Sequence, residues 1–258
     1  MVSLSTQLKK RGQFMSNMQS WKQNVGSIIN YAERIFPEVE IVSRALSGEI
    51  VKSNYGQVAK RAKKLGSSLE AYGIKHGQNV GSLALNTYRN MEMYYGISGM
   101  GAVMHTINFR LQPEQVVYII NHAENRIIFL ETVFAPLLEA IQANCPTVEK
   151  YVLLCSKEEM PETTLKDAIS YEEFINDGDE SYEWPELEED APCGLCYTSG
   201  TTGNPKGILL LDNRSKIKKI KEKPIEYING GFFVLSKKIF KFLKNSSTIF
   251  EKDCLPKL

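Results

Sequence analysis

Cys193-Gly194-Leu195-Cys196-Tyr197-Thr198-Ser199-Gly200-Thr201-Thr202-Gly203-Asn204-Pro205-Lys206-Gly207 decides how this chain is read. Its first five residues form an apolar run of strand length, entered from an acidic, turn-rich stretch. Three glycines, one Ser, three Thr and a single cation follow. Glycine tolerates positive φ and close backbone approach, so Gly200, Gly203 and Gly207 permit a loop with its N–H groups turned inward. Successive inward N–H groups make an anion nest. The hydroxyls of Thr198, Ser199, Thr201 and Thr202 add donors, and the Lys206 ammonium is a point charge suited to phosphate.

Two other readings compete for this stretch. A flexible linker is one, since Gly/Ser/Thr runs are often no more than that. A linker has no reason to combine a leading apolar strand with a Pro-Lys-Gly end. The other is the triphosphate loop G-x-x-x-x-G-K-[ST], which fails because Pro205 stands five residues after Gly200 and Gly207 follows Lys206. Cys193-x-x-Cys196 is a weak metal signal. Residues i and i+3 of a strand point to opposite faces, and no second Cys pair or suitably spaced His follows.

Upstream, the sequence alternates between strand and helix patterns. Helices are expected over 21–35, from 53 or 54 to Gly73 with Ser53 as cap, over 86–100, over 114–123 after Pro113, over 134–143, and from Tyr171 to Ile175. Strands are expected over 79–85, 103–107, 126–130 and 148–155, and a hairpin over 40–52 turning at Ser47-Gly48. Residues 176–190 read as an acidic connector. Strands alternating with helices indicate a parallel sheet covered on both faces. Ligands of such sheets bind beyond the carboxyl ends of the strands, where residues 198–207 would sit. Of the three imidazoles, His122 at a helix end and His105 in a strand are both assigned packing roles first, and His76 lies in a loop.

The 258 residues allow one large domain or two small ones, and 43% hydrophobic content with 24% charge is that of a globular chain. A net charge of +1 gives no electrostatic case for nucleic acid or an anionic membrane. That average hides an asymmetry. Residues 208–258 carry 12 Lys+Arg against 5 Asp+Glu, net +7, which leaves 19 against 25, net −6, for residues 1–207. The five scattered cysteines are not a disulfide framework, so a reducing cytoplasm is the expected compartment. No run of 18 apolar residues is present, so no membrane span is expected. Residues 1–20 are expected to be a disordered tail.

Tyr197-Thr198-Ser199-Gly200-Thr201-Thr202-Gly203-Asn204-Pro205-Lys206-Gly207 resembles the phosphate-binding signature of the adenylate-forming acyl-CoA synthetases. The resemblance covers roughly 21–207 and is closest to medium- and long-chain fatty-acyl-CoA synthetases. Residues 94–108 with Arg110-Leu111, and Tyr118-Ile119-Ile120-Asn121-His122-Ala123-Glu124, support it. It implies the α/β fold of that family's amino-terminal domain, here as a partial parallel sheet flanked by helices. It also implies ATP-dependent activation of a fatty acid followed by transfer to CoA, with Mg²⁺ bridging the phosphates. Thr198, Ser199, Gly200, Thr201, Thr202, Gly203 and Lys206 would bind the ATP phosphates. His105 could face the acyl channel.

After Gly207 the family pattern stops. The hydroxyl-His-Arg step is replaced by Ile208-Leu209-Leu210-Leu211-Asp212, and the family's second nucleotide loop, acidic metal residue, hinge and adenylation lysine do not appear. No complete catalytic set is therefore expected, and no protein metal site. Residues 221–258 resemble a carboxyl-terminal fragment of glucose-1-phosphate cytidylyltransferase, through Lys221-Glu222-Lys223-Pro224 and Asn229-Gly230-Gly231. There Lys223, Asn229 and Gly230 would be a sugar-phosphate remnant; a plain amphipathic α/β tail is the alternative. The chain reads as two enzyme fragments joined near residue 208: a partial AMP-binding domain over 21–207 and a short unrelated α/β tail over 208–258.

Overall fold

The computed structural model describes residues 22–198, 205–211 and 218–219. The chain divides into Met1–Ile220 and Lys221–Leu258, and every described residue belongs to the first unit. The expected tail over 1–20 and the nucleotidylyltransferase-like segment lie outside the described residues.

Helix α1 (Val25–Ile35) starts later than its periodicity suggests, because Asn24 caps it reciprocally with Ser27. The expected hairpin is β1 (Glu40–Arg44) and β2 (Ile50–Asn54), paired antiparallel and separate from the main sheet. Asn54 rather than Ser53 caps α2 (Tyr55–Tyr72), in a box with Gln57. Gly73, at φ 93°, ends α2 in the left-handed region that glycine enters without a Cβ penalty.

From there β3 (Asn79–Leu83), α3 (Tyr88–Gly99), β4 (Val103–Thr106), α4 (Pro113–His122), β5 (Ile127–Leu130), α5 (Ala135–Ile141) and β6 (Lys150–Leu153) follow the expected alternation. Then come β7 (Ala168–Ser170), a strand not foreseen, α6 (Tyr171–Asn176) and β8 (Pro192–Thr198). The eight-stranded sheet runs β10-β9-β8-β4-β3-β5-β6-β7, with β9 Lys206–Leu211 and β10 Lys218–Lys219. It is parallel from β8 to β7.

Strand β5 shows why both faces are covered. Ile127 and Phe129 pack with Leu65, Leu69, Met93, Ile97 and Tyr171 under α2, α3 and α6. Ile128 and Leu130 point the other way, to Val116, Ile119, Ile120 and Leu138 under α4 and α5. Four consecutive apolar residues thus serve two cores, as a strand buried on both faces requires.

Two expectations are corrected. The sheet is mixed: β9 runs antiparallel to β8, with Thr198 opposite Lys206 and Tyr197 opposite Gly207. The segment between them is too short for a parallel crossover, which needs about a dozen residues or more. Strand β9 continues through Gly207 to Leu211, and β10 pairs antiparallel with it, so residues past 207 extend the same sheet. The acidic connector is the second correction, for it is a packed strap. The Trp184 ring lies against Gly26, Gly66 and Gly99, where added Cβ atoms would stand 3.0, 2.9 and 3.0 Å away. The Trp184 indole N–H donates to Asn30 Oδ1 at 3.1 Å.

Candidate phosphate-binding site

The glycine-rich stretch joins β8 to β9, and of it the structure describes Thr198 and residues 205–207. Thr198 and Lys206 face each other at its base, both exposed, with Thr198 Oγ1 at 3.5 Å from the Lys206 carbonyl. The structure therefore brings together the first hydroxyl and the one cation predicted to hold phosphate. Ser199, Gly200, Thr201, Thr202 and Gly203 lie outside the described residues, as do Lys223, Asn229 and Gly230. Pro205 and Gly207 beside the lysine are buried, which roots the ammonium stem at the edge of packed structure.

The hairpin base is held from below. Leu195 is fully buried on the α4 side of the sheet, and Tyr197, 8% exposed, is the last buried side chain of β8. The Tyr197 hydroxyl lies 2.6 Å from Nδ1 of His122, the final residue of α4. Burial pushes the Tyr197 phenol up to about 12, so it keeps its proton near pH 7. The His122 ring stacks on Tyr118 at 5.4 Å. His105, on neighbouring β4, stands 5.1 Å from the Tyr197 ring and is fully buried. Its Nδ1 lies 2.7 Å from Oδ1 of Asn125. Burial drives the His105 pKa down to about 4, against the opposing pull of the Asn125 bond, so the ring is neutral near pH 7. Sequence reading rightly put packing first for both histidines but missed their partners, which lie 75 and 20 residues away.

The two cysteines of the Cys-x-x-Cys pair diverge as a strand requires. Cys193 is buried with its Sγ 3.6 Å from the Leu210 carbonyl, and Cys196 Sγ lies 3.0 Å from Thr106 Oγ1. Among the described residues no group of three His, Cys, Asp or Glu could hold a metal ion. No helix among the described residues is long and apolar enough to cross a membrane.

A second polar cluster lies on the opposite face, under α2, α3 and α6. Glu92, 1% exposed, receives Arg61 Nε at 2.7 Å and the Tyr171 hydroxyl at 3.0 Å. Glu172 takes both terminal nitrogens of Arg61 at 3.0 Å and two of Arg89 at 3.1 Å. Burial pushes the Glu92 carboxyl up against the pull of Arg61. For Glu172 burial also works upward, but its arginine bonds hold the carboxyl below the ordinary range. This cluster pins three helices together.

The fold and site define a doubly wound α/β domain that presents a Gly/Thr/Lys hairpin loop from one strand of its sheet. The chain belongs to the AMP-binding enzyme family, which matches residues 34–215. It is 44% identical over 185 residues to the 3-methylmercaptopropionyl-CoA ligase of Ruegeria pomeroyi, covering 72% of this chain and 34% of that protein. It is 40% identical over 198 residues to the medium-chain-fatty-acid–CoA ligase of Ectopseudomonas oleovorans, covering 77% and 36%. The crystal structure of the anthranilate CoA ligase AuaEII with anthranoyl-AMP superposes with a TM-score of 0.65 at 26% identity, covering 75% of this chain and 35% of that one. The chain thus spans about a third of the length of the proteins it resembles. The family match, like β9, extends past Gly207.

Proposed function

We propose that this chain carries the amino-terminal, phosphate-gripping part of an ATP-dependent fatty-acid–CoA ligase. In that reaction a carboxylate attacks the α-phosphate of ATP, forming acyl-adenylate and releasing pyrophosphate, and CoA thiolate then displaces AMP. The observation that carries the reading is the hairpin base, where Thr198 and Lys206 stand opposite each other in the family's signature stretch. Thr198, Ser199, Thr201, Thr202 and the glycine N–H groups would hold the β- and γ-phosphates, and Lys206 would offset the charge of departing pyrophosphate, with Mg²⁺ arriving on the phosphates. ATP, a fatty acid and CoA are the small-molecule partners, and the cytoplasm is the compartment.

The 258-residue polypeptide by itself is proposed to bind phosphate but not to turn over. Contacts made only in the transition state set the rate, and about a third of a ligase holds the ground-state grip alone. ATP–pyrophosphate exchange with a panel of fatty acids is the test, run beside Lys206→Ala and a full-length ligase. We expect weak pyrophosphate binding, reduced roughly tenfold or more in Lys206→Ala as a charge-assisted contact is lost, and no exchange. Exchange above background that vanishes in Lys206→Ala would show a complete adenylating site and overturn this reading.

The segment from 221 is proposed to be a nucleotidylyltransferase-like fragment. The support is its Glu222-Lys223-Pro224 and Asn229-Gly230-Gly231 resemblance and the charge switch between the two parts of the chain. The two parts are proposed to join near residue 208; the family match itself runs to 215. Sequencing the reading frame across that junction in independent isolates decides between a natural fusion and an artefact.

A further inference from the structure

Tyr197 is the final residue of β8 whose side chain is buried before the loop, and it sits opposite Gly207 on the closing rungs of the hairpin. Three ring systems from two other elements converge on it. The His122 ring stands edge-on at 5.8 Å, with Tyr118 stacked behind it, and His105 is tilted at 5.1 Å. The Asn125 amide oxygen can only accept, so His105 carries its proton on Nδ1 and none on Nε2. With the Tyr197 hydroxyl donating to His122 Nδ1, the His122 proton would be on Nε2, and the two histidines flanking one tyrosine would hold opposite tautomers. His122 is exposed, and its hydrogen bond meets the hairpin at the Tyr197 phenol.

We propose that His122 is a positioning residue for the phosphate loop, acting through its hydrogen bond with Tyr197 to lock the base of the β8–β9 hairpin. The proposal rests on the reading of that loop as the phosphate grip, and its test separates the two. In the full chain, ¹⁵N imidazole spectra at mildly alkaline pH should show His122 as the Nε2–H form and His105 as the Nδ1–H form. Tyr197→Phe keeps the ring packing, and it should abolish the His122 preference while leaving His105 unchanged. Backbone hydrogen exchange over 193–198 and 206–211 should accelerate roughly fivefold in Tyr197→Phe and in His122→Ala, the yield of one ordinary hydrogen bond. The double variant should be no faster than either single one, because the two side chains act as a unit. His122→Gln, whose amide oxygen can accept the same bond, should restore most of the protection. Pyrophosphate affinity should fall and recover in step.

An Nδ1–H tautomer at His122, unchanged exchange in the single variants, or effects that add in the double variant would each overturn the proposal. If the unaltered chain binds no pyrophosphate, the phosphate reading fails, and the tautomers and exchange rates still decide whether His122 holds the hairpin.

Discussion

Arg61→Met is the perturbation that most directly tests what holds the helical layer on the sheet. The Arg61 guanidinium is shared between Glu92, 1% exposed, and Glu172, and it lies over the Tyr171 ring at 5.7 Å. Burial works against its charge, yet the two carboxylates win and hold it above its ordinary value. Methionine keeps much of the stem's packing and removes the charge. Glu92 is then left buried with only the Tyr171 hydroxyl as donor. Breaking one side of a buried pair costs about 3–5 kcal/mol, and because the Arg61 side chain is 31% exposed, water can reach part of the gap and the low end applies. About 3 kcal/mol lowers the melting temperature of a domain this size by roughly 6–12 °C. The pH dependence supplies a second signature. The Glu92 pKa is raised in the folded state, so ionising it costs stability as pH rises above the unfolded carboxylate value. The deficit of Arg61→Met relative to the unaltered chain should therefore shrink as pH falls into the carboxylate range. Glu92→Gln in the Arg61→Met background should recover most of the loss, since it removes the orphaned charge. Denaturant melts of the three proteins at neutral and acidic pH check this. A single-variant loss under about 1 kcal/mol, or no rescue by Glu92→Gln, would refute the assignment of Arg61 as the neutralising partner.

His105 predicts an acid limb in the stability profile. Its folded pKa is about 4 against an ordinary value of 6.5, so its contribution is complete above 6.5 and is lost as pH falls toward 4, at most roughly 3 kcal/mol. His105→Gln should flatten that limb in urea midpoints taken between pH 7 and 4, and an unchanged slope would contradict the assignment. Trp184→Ala should cost about 2–3 kcal/mol in the same assay, at or below the bottom of the ~3–5 kcal/mol range for a buried aromatic because the ring is only partly buried. A loss below about 0.5 kcal/mol would show that the strap does not contribute to the fold.

What was legible in the sequence was whatever local chemistry dictates. Alternating blocks of apolar strand and amphipathic helix placed β3 to β6 and their helices within a few residues, because burial on two faces leaves its period in the chain. Gly73 could be read as a helix end since a left-handed residue there has one natural occupant. What escaped depends on partners distant in sequence. Ile208-Leu209-Leu210-Leu211 was read only as a departure from a motif, although an apolar run directly after a short glycine loop has few choices but to fold back on β8. The strap hid behind its acidic composition, since Trp184 finds its socket on glycines of three separate helices.

The same logic explains why the signature stretch does not finish the site. The described base of the hairpin, Thr198 opposite Lys206, follows Tyr197, whose hydroxyl lies 2.6 Å from Nδ1 of His122 at the end of a helix 75 residues earlier in the chain. A motif match alone would treat every chain carrying these eleven residues alike. On the proposal made for His122, a chain that kept the eleven residues but lost His122 or Tyr197 would keep the donors proposed for phosphate and lose the bond proposed to hold the hairpin base.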